Sequence, residues 1–91
     1  MRTSERYYNY INDLFDASVD FSRLKNELSG LSSSDPTYAQ TDKACKEAEQ
    51  KFLRQCQAIN DEYAATDPKT EEVKALKQVM DALHQGHYAT I

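Results

Sequence analysis

The sequence predicts an all-α protein, an antiparallel hairpin of two long helices with a shorter third helix packed at one end to make a three-helix bundle. Two Asp-Pro dipeptides, Asp35-Pro36 and Asp67-Pro68, divide the 91 residues into three segments. Asp is a good helix cap and Pro is best tolerated at the first helical position, so each pair reads as a helix start. Every segment repeats its apolar residues at helical spacing, and two glycines in the whole chain leave few breaks. The expected layout is a single domain over 1–91, with helices at about 4–31, 36–65 and 68–84 and a tail over 85–91.

In the first segment Tyr7, Leu14, Phe21 and Leu28 recur every seven residues, interleaved with Tyr10, Ala17, Leu24 and Leu31. Steps of three and four sustained this long make an apolar seam of coiled-coil type. Thr3 or Ser4 serves as the cap, with Glu5 against the positive end of the helix dipole. Gly30 and Ser32 to Ser34 end the helix. Tyr8, Ile11, Phe15 and Val19 widen the first half of the seam to an arc of about 200°, which narrows to about 80° beyond Phe21. The first half therefore calls for two neighbouring helices and the second half for one.

The second segment has a narrower stripe of Tyr38, Thr41, Cys45, Ala48, Phe52, Cys56, Ile59 and Tyr63. Folded back on the first across the Ser-rich loop, it pairs residues whose numbers sum to about 69. Large residues then oppose small ones at Phe21 with Ala48 and at Ala17 with Phe52, which lets a core fill without voids. Cys45 and Cys56 stand roughly 16 Å apart along one helix, too far to bridge, and both point to the core face.

The third segment carries Val73, Leu76, Val79, Met80 and Leu83, with Glu71 and Glu72 near its start and Gln85-Gly86 as its expected stop. Such a helix reaches about 25 Å against 42 to 45 Å for the other two. It should rise beside the first half of helix one and end near Ala17 to Phe21, leaving the far end of the hairpin bare.

Net charge is −4, from 15 acidic and 11 basic residues. That balance disfavours a phosphate-backbone binder. Lys43, Lys46, Lys51 and Arg54 are the only nucleus for nucleic acid, and Asp42, Glu47 and Glu49 interrupt them. No stretch approaches the roughly 20 apolar residues of a membrane span and no sorting signal stands at the N-terminus, so the expected setting is cytoplasmic, away from membranes. His84 and His87 are the only histidines and have no Cys or acidic neighbour at ligand spacing. No metal, cofactor or catalytic activity is expected.

What remains is surface. Asp13, Asp16, Asp20 and Glu27 fall within about 60° on helix one and form an acidic ridge suited to a basic partner. Tyr7, Tyr8 and Tyr10 cannot all face one core, so Tyr8 or Tyr10 keeps an exposed edge that continues onto Phe15 and Val19. The open end of the hairpin offers Leu24, Leu28, Leu31, Tyr38 and Cys45 to a partner or a second copy, unless the tail with Tyr88 and Ile91 folds over it. The expected function is a small acidic, non-enzymatic protein-binding module: an inhibitor, immunity-type protein, chaperone or adaptor. The alternatives are a structural protein acting as a homodimeric helical bundle and, further behind, a hairpin nucleic-acid binder.

Overall fold

A computed structural model of the chain describes the backbone of residues 2–88 and the side chains of residues 7–88. It contains three helices, α1 (Arg2–Ser29), α2 (Tyr38–Ala65) and α3 (Glu71–Tyr88), packed as an all-α three-helix bundle. Because α1 already runs from Arg2, Thr3 and Ser4 lie within the helix and not at the expected cap position; their side chains, that of Glu5 and the packing of Ile91 lie outside the described residues.

The first loop uses the Asp-Pro chemistry, two residues later than expected. Asp35 Oδ1 accepts hydrogen bonds from the Thr37 amide at 2.8 Å and the Thr37 hydroxyl at 2.6 Å. A tight turn closes from the Tyr38 amide to the Asp35 carbonyl at 3.0 Å, and the α-helix proper starts at Tyr38 rather than Pro36. The two bonds from Thr37 hold the Asp35 carboxyl below its usual range.

The second loop departs further from expectation. Asp67-Pro68, joined by a cis peptide bond, does not start α3. Thr70 supplies the cap instead, its Oγ1 accepting from the Val73 amide at 3.1 Å. Thr66 and Lys69 are occupied in closing α2: the Thr66 amide and hydroxyl donate to the Glu62 carbonyl at 3.1 and 2.8 Å. The Lys69 ammonium donates to the carbonyls of Tyr63 and Thr66 and lies 4.5 Å from the centroid of the Tyr63 ring. A cation on the last carbonyls of a helix satisfies acceptors that have no partner within it.

Nor does Gly86 stop α3, which continues through it to Tyr88. A glycine inside a helix costs only about 1 kcal/mol relative to alanine. The turn that follows recovers this by burying the His87 ring against Phe21 and Phe52, with centroids 4.7 and 4.8 Å away. Residues 86–88 thus belong to the helix and not to a tail over the open end.

The core draws on all three helices: Tyr7, Leu14, Ala17 and Phe21 from α1, Cys45, Phe52, Cys56 and Ile59 from α2, and Val73, Leu76 and Met80 from α3. Phe21 and Phe52 meet with ring centroids 6.2 Å apart. Side chains lean toward the N-terminus of their own helix, so in an antiparallel pair these rings tilt toward each other from adjacent turns. Both cysteines are free and buried.

Candidate partner-binding surface

Helix α1 has two apolar faces, and the bundle uses one. Tyr7, Leu14, Ala17 and Phe21 are buried, whereas Tyr8 is 65% exposed, Phe15 43% and Val19 62%. The wide arc called for cover by α3, yet of its flank only Ile11 is packed against the core. Its other members fall within about 40° of one another at 100° per residue, one line along the helix. With Tyr88 they are the exposed large hydrophobic residues among those described. Tyr10, the other candidate for an exposed edge, is half-buried against the core.

Next to this strip runs the acidic ridge, with Asp13, Asp16, Asp20 and Glu27 all exposed. Arg23 crosses it, pairing with Asp20 at 3.8 Å and Glu27 at 3.1 Å. Asp13 and Asp16 have no ionic partner among the described residues.

On the opposite side of the strip, α1 and α3 enclose an open groove of about 380 Å³, lined by Ser18, Ser22, Lys25 and Asn26 from α1 and by Ala82, Leu83, Gly86 and His87 from α3. Ser18 Oγ and His87 Nε2 share a hydrogen bond of 2.8 Å at its base. Lys25 closes the upper end, its ammonium 3.5 Å from the His87 carbonyl and 4.4 Å from the Phe21 ring centroid. Burial, then the charge of Lys25 and the His84 ring, push the His87 pKa below its ordinary value, so the imidazole is held neutral. A hydroxyl beside an imidazole is the start of a nucleophilic pair, but Ser18 is only 6% exposed and no third group orients the ring among the described residues. What this contact does is tie α3 to α1.

The matching tie to α2 is the Tyr88 hydroxyl, which donates to Glu49 Oε2 at 2.8 Å. Burial, with the Glu49 carboxylate, pushes that phenol above its ordinary range. The cluster of Phe21, Phe52, His84, His87 and Tyr88 forms only because α3 runs past the stop that Gln85-Gly86 predicts. The signal was there: Val73, Leu76, Met80, Leu83 and His87 continue one helical stripe through the glycine.

At the open end Leu24, Leu28, Leu31 and Tyr38 are half-buried and Cys45 is buried, so the two long helices largely cover one another's apolar side chains there. Burial, then Glu49 and Asp42, push the Cys45 thiol up, and burial, then Asp81, does so for Cys56. Neither is poised as a thiolate. On the outer face of α2, Lys46 is paired with Asp42 at 2.9 Å, in line with helix-surface charge pairing. No group of three or more His, Cys, Asp or Glu side chains among the described residues is arranged to hold a metal ion, and no helix there is long and apolar enough to cross a membrane.

No family model, curated protein or solved structure matches this chain.

Proposed function

We propose that this chain is a small acidic, non-enzymatic protein-binding module, of the inhibitor, immunity, chaperone or adaptor kind, that takes its partner on the outer face of α1. The observation that carries this reading is the line of exposed Tyr8, Phe15 and Val19 on a helix whose other apolar face already fills the core. Aligned apolar residues left in water are costly without a partner to cover them, and tyrosine and phenylalanine are among the side chains that concentrate binding energy. The ridge of Asp13, Asp16, Asp20 and Glu27 beside the strip suits a basic partner surface. A cytoplasmic setting fits two free thiols, which reducing conditions preserve.

The test is capture of partners by wild type against a Tyr8→Ala, Phe15→Ala, Val19→Ser variant whose helicity is unchanged. Partners retained by wild type and lost by the variant support the reading. An identical set of partners on both sinks it. The alternative, a homodimer through Leu24, Leu28, Leu31, Tyr38 and Cys45, is the weaker reading because no large apolar side chain there is exposed.

A further inference from the structure

We infer that the occupant of the α1 surface is a single basic amphipathic helix of a partner protein, seated along the shoulder between α1 and α3 so that it completes a four-helix bundle. This rests on the reading of Tyr8, Phe15 and Val19 as a binding surface and adds the partner's shape and sign.

The shape follows from the two helices that frame the site. Along α1 the strip runs from Tyr8 to Val19, about 16 Å, which matches three turns of a helix. Across the groove α3 offers Ala82 and Gly86, both exposed, with Leu83 and His87 behind them. A side-chain carbon built on Gly86 would meet nothing within 4 Å. The shoulder is therefore high on the α1 side, where Phe15 and Val19 project, and low on the α3 side. Helices pack at 8–10 Å by setting the ridge of one into the groove of the other, and a low wall of small side chains lets the newcomer reach that distance. An occupant with apolar residues at i, i+3 or i+4, i+7 and i+11 reads the strip in full.

The sign follows from what borders the strip. Asp13, Asp16 and Asp20 stand on the side away from α3, and two of these carboxylates have no ionic partner among the described residues. On the α3 side the exposed positions Ala75, Gln78, Ala82 and Gln85 carry no charge; the acidic Glu71 and Glu72 are confined to the first turn of α3, and Lys25 lines the groove as a cation. The occupant accordingly presents lysine or arginine along one flank only, which also fixes its direction on the surface. A second copy of this chain is disfavoured: antiparallel two-fold pairing of α1 strips sets both acidic ridges on the same side, between molecules of net charge −4. Anionic lipid and nucleic acid are repelled by the same carboxylates.

The experiment uses two synthetic helical peptides of about 18 residues with the same apolar stripe, one with lysines on a single flank and one with glutamates there, titrated against the full chain by fluorescence anisotropy. The lysine peptide should bind at least about tenfold more tightly than the glutamate peptide and weaken as salt is raised. Asp13→Lys with Asp16→Lys should weaken the lysine peptide by about tenfold. Glu47→Lys with Asp61→Lys, which changes net charge equally on the outer face of α2, should leave it unchanged. Phe15→Ala with Val19→Ser should also abolish binding, with circular dichroism confirming that each variant stays helical.

Equal binding of the two peptides, or equal weakening by the two charge-reversed pairs, overturns the inference. So does concentration-dependent dimerisation in sedimentation velocity that Phe15→Ala with Val19→Ser dissolves, since the occupant is then a second copy. Failure of both peptides while natural partners still depend on Tyr8, Phe15 and Val19 rejects the basic helix and leaves the binding surface standing. Loss of that dependence rejects both.

Discussion

Phe52 stands where all three helices meet. It is completely buried and meets Phe21 of α1 and both His84 and His87 of α3. Phe52→Ala should cost about 3–5 kcal/mol in urea unfolding, because the removed ring leaves a cavity lined by side chains from every helix. His87 carries a different kind of sensitivity. Its pKa lies below 6.5 when folded, so the unfolded chain binds more protons as pH falls through that value. Stability contributed by neutral His87 is complete above the unfolded pKa and is lost as pH drops below it. The groups facing it are Ser18 and Lys25 on α1 and His84 on its own helix. Melting temperature should fall from pH 7.5 to pH 5.5, and His87→Gln should shrink that fall. Phe52 was legible as a core residue from its place on the stripe of α2. The histidine is legible only when the stripe of α3 is carried through Gly86, against the usual role of glycine as a helix stop.

At the level of the helices, the sequence reports their number and order well and their ends less well. Apolar spacing specifies which residues face inward and is averaged over many turns, whereas an end depends on one or two capping bonds. Asp35 bonds Thr37 in the loop, yet neither Pro36 nor Pro68 starts a helix: α2 begins at Tyr38, and at α3 Thr70 reaches the Val73 amide while Lys69 is drawn back to α2. Thr70→Ala should therefore destabilise the protein by about 1 kcal/mol, measured by chemical denaturation. Gly86→Ala should act in the opposite direction. The residue is helical, with open space where the new carbon goes, so a gain of up to about 1 kcal/mol is expected. A loss of stability in that variant would mean that the chain needs the freedom of glycine at 86.

The whole molecule is long and thin, with a radius of gyration of 15.6 Å and extents of 53 × 29 × 16 Å. A compact chain of this length has a radius nearer about 12 Å. Elongation is what two 28-residue helices impose, and it leaves a large outer surface relative to core. The candidate site was partly visible in the sequence, where the acidic ridge and the second apolar stripe of α1 can be counted out on a helix. Whether α3 would cover that stripe was not visible. Coverage depends on the direction from which α3 approaches, and α3 settles toward Ser18 and the seam between the long helices rather than over Tyr8, Phe15 and Val19.

The last turn of α3 ends against Phe21, Lys25 and Glu49, and above that level the described structure is two helices thick. A step in thickness is a step in local unfolding free energy, since each amide is shielded by whatever must open before water reaches it. In hydrogen exchange the amides of α1 beyond Lys25 and of α2 before Cys45 should open in a separate, lower-energy event that spares Leu14, Ile59 and Leu76. A uniform exchange rate along all three helices would show the molecule opening as one unit. On the two-step pattern, the loop end of the hairpin breathes while the surface of Tyr8, Phe15 and Val19 rides on the portion that stays closed.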